Sequence, residues 1–194
     1  MNNSQTKNRQ NQEGFSYIEV MIALVILLVG VLGMTSALSA NLIRSYASEK
    51  QIVAKQTAVS TLESMISARD IRRLGAISGW DTIGNVGTNP INGVNQGIFL
   101  TGFSPIREDL GWDGVAGTAD DACAGSGACT VNGKTNASSI IPGFERQIVI
   151  TDIEDPDRPS PRNAIARRRI DITIRYSINQ ITSNEVVSTI VTNY

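Results

Sequence analysis

The chain has 194 residues, of which 41% are apolar. This size is enough for one domain with a hydrophobic core and too small for a two-domain enzyme. Its 17 basic and 18 acidic residues leave a formal net charge of -1, so no global field draws the protein to nucleic acid or anionic lipid. Histidine is absent, which removes the usual general base of serine and cysteine hydrolases and the commonest zinc ligand, and catalysis becomes a minority hypothesis.

The first predicted element is an apolar helix that can cross a membrane. Residues 20–43 carry no charge, and about 20 apolar residues are enough to span the hydrocarbon core. Basic residues precede this run and Arg44 follows it, so the short leader should stay in the cytoplasm and the rest be exported. An ordinary cleaved signal peptide would have a shorter apolar core and a better cleavage site than 37–39 offers. An ordinary signal anchor fits the length but does not explain Glu19.

The segment 14–20 reads Gly-Phe-Ser-Tyr-Ile-Glu-Val and runs directly into the apolar stretch. It closely resembles the class III signal of type IV prepilins: a polar leader, then Gly, Phe and Glu at fixed spacing, then a long apolar run. The resemblance implies that a prepilin peptidase cuts after Gly14 on the cytoplasmic side. It also implies that Phe15 becomes the N-methylated first residue of the mature protein, and that Glu19 is the acidic residue of the motif.

The position of Glu19 has a physical interpretation of its own. A charge just inside an apolar run costs about 3 kcal/mol on insertion scales, so such a residue usually has a partner. Cleavage before Phe15 creates an α-amino group that remains a cation after methylation, at a depth similar to that of the carboxylate. The helix of one subunit can therefore neutralise the next, and because desolvation offsets much of the gain, the pairing sets register more than stability. The alternative is a tolerated charge near the membrane interface.

The predicted helix continues beyond the membrane to about Arg73, since residues 41–73 contain no Pro or Gly, and Gly75 is a natural stop signal. Its expected apolar face consists of four residues at helical spacing: Ile52, Val59, Leu62 and Ile66. The continuous helix from Phe15 to about Arg73 is far longer than a bilayer needs, so its second half must have another role. We therefore expect it to pack on the exported domain.

The rest of the chain changes from loops to strands. Residues 75–143 are rich in Gly, Asn, Thr, Ser and Asp and are predicted as connecting loops, with one short strand around 97–103. Three strands with alternating apolar residues follow, at 146–153, 168–178 and 185–193. The second has Ile170, Ile172, Ile174, Tyr176 and Ile178 on one face. The link at 179–184 suits an antiparallel hairpin.

These elements predict an α+β fold, in which a long N-terminal helix packs on a C-terminal antiparallel sheet. The prepilin resemblance implies the same pilin-like roll. We predict a cytoplasmic leader at 1–14 and a membrane-spanning and assembly half of the helix at 15–43. An amphipathic half at 44–74 and a periplasmic or extracellular β domain at 75–194 complete the organisation.

The only cysteines, Cys123 and Cys129, enclose a short Gly/Ala/Ser loop that is flexible enough for disulfide geometry. An exported protein meets an oxidising periplasm, so a disulfide is predicted, with local pinning rather than a large gain in stability. The alternative is two free thiols in a cytosolic protein.

Four carboxylates lie among turn glycines in one loop: Asp109, Asp113, Asp120 and Asp121. Calcium binds six to eight oxygen ligands from carboxylates and carbonyls, so these residues are a candidate calcium site. The stretch is somewhat similar to the calcium loop of major pseudopilins. Its spacing is not that of an EF-hand, and the competing interpretation is a solvated Asp/Gly turn. No other cofactor is predicted.

Three consecutive arginines, Arg167 to Arg169, open the second predicted strand. They form either a solvated strand end or a patch that contacts phosphate. Aromatic residues that could stack on bases are sparse nearby, so nucleic acid is disfavoured as a partner.

Within the prepilin family, the helix end at 61–73 and the terminal hairpin look most like minor pilins of the PilV, or pilus-modification, type. The predicted function is therefore a minor type IV pilin in the inner membrane, with roles in pilus assembly, priming or modification. The resemblance implies three kinds of partner: prepilin peptidase, other pilins and the inner-membrane assembly platform. A minor pseudopilin of a type II secretion system is the first alternative. A membrane-anchored periplasmic enzyme is the second, and it lacks a nucleophile–base pair or metal cluster.

Overall fold

The computed structural model describes Gly14, residues 16–70, 78–124, Thr130, Gly133, and residues 135–154, Pro156, 165–178 and 180–193. The chain divides into two units, Met1–Tyr46 and Ala47–Tyr194, and the boundary falls inside the first helix.

Helix α1 extends from Tyr17 to Asp70. In the first unit every residue from Ser16 to Tyr46 is exposed. This part of α1 is long and apolar enough to cross a membrane, with a mean hydropathy of 2.6 over its most apolar stretch. The predicted long apolar helix is therefore confirmed. The predicted continuation to Arg73 and the stop at Gly75 lie outside the described residues.

In the second unit, the buried face of α1 consists of smaller side chains than the sequence predicted: Ala54, Ala58, Thr61, Met65 and Ala68. The prediction was wrong for Ile52 and Val59, which are 53% and 44% exposed, whereas Leu62 and Ile66 are half-buried against the core. Interhelix and helix–sheet distances depend on the side chains at the contact, and alanines let the helix approach isoleucines of the sheet closely. The larger apolar side chains of this core come mainly from the sheet and from the connections at 78–124.

The strands are β1 (Pro90–Ile91), β2 (Val94–Asn95), β3 (Ser104–Arg107), β4 (Ile140–Ile153), β5 (Arg167–Ile178) and β6 (Ile181–Thr192). Strands β1 and β2 form a small hairpin, and the other four form an antiparallel sheet in the order β3-β4-β5-β6. A short helix α2 (Gly79–Thr82) and a 3-10 helix (Ala119–Ala122) lie in the connections. The α+β class is confirmed.

The alternation predicted for β5 is also confirmed. Ile170, Ile172, Ile174 and Tyr176 are buried, and they join Met65 of α1 in one hydrophobic core. Because successive side chains of a strand point to opposite faces, this register turns the other β5 side chains to the outer face of the sheet.

Three strand boundaries differ from the prediction. The prediction of a strand around 97–103 was wrong. Phe99 is buried and forms only an isolated bridge to Asn85, and the next strand, β3, begins at Ser104. Strand β4 begins at Ile140 rather than Arg146. Strand β6 begins at Ile181 rather than Glu185, since polar residues at 182–184 pair with β5 and so extend the ladder.

Candidate processing and assembly segment

The residues around the predicted cleavage site precede the first helical turn. Gly14 is exposed, and a methyl group placed on its Cα would meet no atom within 4 Å. Phe15 lies outside the described residues. The Ser16 carbonyl accepts hydrogen bonds from the Glu19 and Val20 backbone N–H groups, at 3.0 and 3.3 Å. The predicted cleavage site therefore lies before α1 rather than within it.

Glu19 lies in the first turn of α1 and is exposed. The first N–H groups of a helix have no partner within the helix, and the positive end of the helix dipole favours a carboxylate there. Glu19 is also the sole charged residue in the sequence from 16 to 43. The structure thus places an exposed carboxylate at the start of the apolar run.

A second polar group lies in the apolar half of α1, residues 17–43, and forms its hydrogen bonds within its own helix. The Thr35 hydroxyl lies 3.0 Å from the carbonyl oxygens of Val31 and Leu32, to which it can donate. This back-bonding lets a hydroxyl enter an apolar environment at low cost. Thr35 therefore differs from Glu19, which carries a full charge.

Cys123 is disulfide-bonded. It follows the 3-10 helix, where its N–H donates to the Asp120 carbonyl at 2.8 Å. The sequence has one other cysteine, Cys129, which lies outside the described residues. The pairing of Cys123 with Cys129 stays a prediction.

The aspartates of the candidate calcium loop accept hydrogen bonds from the turns around them. The Asp109 carboxylate accepts from the Gly111 N–H at 3.0 Å, the Asp113 carboxylate accepts from the Val115 N–H at 2.7 Å, and the Asp120 carboxylate accepts from the Asp113 N–H at 3.1 Å. Among the residues that the structure describes, no group of three or more His, Cys, Asp or Glu could hold a metal ion. The geometry favours the turn interpretation, and calcium binding stays a prediction.

The fourth aspartate, Asp121, belongs to a buried ion pair that the sequence did not reveal. Its carboxylate accepts from the Gly117 N–H at 2.7 Å and from Nη2 of Arg146 at 2.6 Å. Nη1 of Arg146 donates to the Thr61 hydroxyl of α1 at 3.3 Å. Burial lowers the pKa of Arg146 and the adjacent Asp121 carboxylate opposes this effect. Arg146 thus connects the aspartate loop, the helix and β4.

We expect Arg146→Met to destabilise the folded domain by about 3–5 kcal/mol, because it leaves the Asp121 carboxylate buried without its cation. Urea unfolding of the full chain in detergent micelles, followed by the fluorescence of buried Trp80, measures the change. The matched control is Arg169→Met, since Arg169 pairs with Asp171 at 3.0 Å with its own side chain 55% exposed. That exposed pair should contribute at most about 1 kcal/mol. Equal losses of unfolding free energy in the two variants would show that the pair of Arg146 and Asp121 is not an important contact.

The three arginines at the start of β5 do not form one patch. Arg168 is 4% exposed and points inward, where its guanidinium lies 4.5 Å from the centre of the Trp80 ring. It donates to the carbonyls of Trp80 and Ile83 and to the Asp152 carboxylate. The prediction of a solvated or phosphate-binding set was wrong for Arg168, because strand alternation turns it into the core.

Comparison with known protein families matches residues 9–35 to the prokaryotic N-terminal methylation motif. The match contains Gly14, Phe15 and Glu19 and the first part of the apolar half of α1. No curated protein and no solved structure matches the chain.

Proposed function

We propose that this chain, a type IV pilin-like or pseudopilin-like protein by its N-terminal methylation motif, is a minor type IV pilin. In this proposal, prepilin peptidase removes residues 1–14, Phe15 is methylated, and the mature subunit takes part in assembly, priming or modification of the pilus. The observation that carries the proposal is the order of three features: an accessible Gly14 before the helix, Glu19 in its first turn, and an exposed apolar half of α1. The methylation motif, over residues 9–35, contains Gly14, Glu19 and the first part of the apolar half of α1.

Before assembly, the apolar half of α1 would lie in the inner membrane, with the leader in the cytoplasm and the β domain in the periplasm. Transfer of this helix from lipid to the interior of a filament brings little hydrophobic gain, because lipid tails are already apolar. Packing and polar contacts must therefore select the correct neighbour. The Glu19 carboxylate and the amine of a neighbouring subunit's first residue supply one such contact, and this pair would set the axial register.

The proposed partners follow from these steps. Prepilin peptidase acts on the 14–15 bond, other pilins surround the apolar half of α1, and the inner-membrane assembly platform moves the subunit out of the bilayer. The same N-terminal signal serves a minor pseudopilin of a type II secretion system, so this function is the second candidate.

Sheared filament fractions test the proposal. The chain should be recovered in filaments from wild-type cells and only in membranes from cells that lack prepilin peptidase. An inner-membrane protein unrelated to filaments, absent from the sheared fraction, serves as control. Deletion of the gene should reduce piliation and leave protein secretion normal. Normal piliation with a block in secretion would instead support the pseudopilin candidate.

A further inference from the structure

The two edges of the four-stranded sheet differ in how well they are protected from other strands. Strand β3 spans only Ser104–Arg107, contains Pro105, and shifts register against β4 between Pro105 and Arg107. Short length, proline and irregular register are devices that keep an edge from pairing. Strand β6 is 12 residues long, has no Pro, Lys or Arg, and pairs with β5 without interruption from Ile181 to Thr192. Within the described residues, it is paired on one side only.

The hairpin geometry identifies the backbone groups that point away from β5. Two residues separate Ile178 from Ile181, and in such a hairpin the flanking residues form a hydrogen-bonded pair. Odd-numbered residues of β6 then bond to β5, and the even-numbered residues 182–190 direct their N–H and carbonyl groups to the free edge. Two contacts agree with this assignment. The Asn193 N–H donates to the Ala166 carbonyl at 2.9 Å, and the Thr192 carbonyl accepts instead from Arg69 of α1.

Among the described residues, the side of α1 next to this edge is also only partly covered. Gln51 and Lys55 lie 2.6 and 3.9 Å from the Glu185 carboxylate, and Arg69 bonds to Thr192. At about 100° per residue, Leu62 and Ile66 lie on the same side of the helix as these three residues. Both side chains, and that of Val187 in β6, pack against the core and are only half-buried.

We propose that the free edge of β6 and this adjoining side of α1 form a docking site for one extended strand of a different polypeptide. The partner strand would pair its backbone with residues 182–190 as a fifth strand of the sheet. Apolar side chains on its inner face would complete the cover over Leu62, Ile66 and Val187. An acidic side chain at one position would meet Lys55, whose side chain is 57% exposed.

A second copy of this chain does not fit the site. Its β3 edge is too short and carries Pro105, so continuous β6-to-β3 pairing fails. Antiparallel pairing of two β6 strands with matching faces would reverse one copy, so the parts of the two α1 helices that pack on the sheet, residues 47–70, would point in opposite directions. Subunits that are added to a filament in one orientation cannot pair in this way. This last step rests on the proposed function, whereas the pairing of β6 on one side only, within the described residues, does not.

The test uses the full chain in the cells that produce it, with the photoreactive residue p-benzoylphenylalanine placed at Asn184, Val186, Ser188 and Ile190 in turn. These positions lie along the free edge and are exposed. A paired strand places opposite residues about 5 Å apart, so each step of two residues should move the cross-link by two residues along one segment of one other protein. That register, read from the cross-linked peptides, is the expected result.

Two variants control the experiment. Ser188→Pro removes an N–H that points away from β5 and should reduce the adducts about tenfold while leaving the β5–β6 ladder intact. Thr173→Lys, on the outer face one strand further in, should leave the adducts unchanged. Absence of adducts, adducts without a fixed register, adducts to a second copy or adducts within the same chain would each overturn the proposal.

Discussion

Gly14→Glu should leave an uncut precursor in the membrane. The substitution lies before α1 and outside the apolar run, so insertion should be unaffected. A site shaped for glycine must instead take up an unpaired carboxylate, which costs at least about 3 kcal/mol and slows cleavage about a hundredfold or more. Immunoblots of membrane fractions, with intact mass of the purified chain, measure the ratio of precursor to mature protein.

The matched control is Gln12→Glu, which introduces the same charge two residues earlier in the leader. It should be processed like the wild type, because it leaves the residues on both sides of the cleaved bond unchanged. Normal processing of Gly14→Glu would show that Gly14 does not define the cleavage site.

Glu19→Val should insert and be cleaved normally, yet its recovery in sheared filaments should fall by more than about tenfold. Removing one partner of a desolvated charge pair costs at least about 2 kcal/mol, and the amine of the neighbouring subunit would be left without its anion. Glu19→Asp should give an intermediate recovery, since it keeps the charge and withdraws it by one methylene. Filament and membrane fractions probed for this subunit provide the comparison.

Thr35→Val serves as the control for Glu19→Val. It also replaces a polar group of the apolar half of α1, but the Thr35 hydroxyl is bonded within its own helix, so recovery in filaments should stay normal. Full recovery of Glu19→Val would mean that assembly does not need the charge. Glu19 would then be a tolerated residue near the membrane interface.

The parts of the fold that were predictable depend on local periodicity. The alternation of β5 and the apolar run of α1 were read directly from the spacing of apolar residues. The contact face of α1 was not, because large apolar residues such as Ile52 and Val59 suggest a buried stripe by themselves. Which side a helix turns to a sheet depends on the bulk that the sheet already supplies, and this bulk comes from residues far along the chain.

The same distinction holds for the functional residues. Gly14, Phe15 and Glu19 lie within six residues of one another in a segment that matches the methylation motif, so their roles could be proposed from the sequence alone and stay predictions. The pair of Asp121 and Arg146 joins a loop to a strand 25 residues away, and no local pattern shows which aspartate an arginine will meet. Extending the strand alternation back from Ile148 would have placed Arg146 on the inner face and indicated that it needs a partner.

The N-terminus and intact mass of the mature wild-type chain test the central claim most directly. The chain purified from filaments or membranes should begin at Phe15 and carry one methyl group on its α-amino nitrogen, and a strain without prepilin peptidase should yield the chain from Met1. A wild-type chain that begins at Met1, or one that begins near Asn41 as an ordinary signal peptide would leave it, would contradict the account.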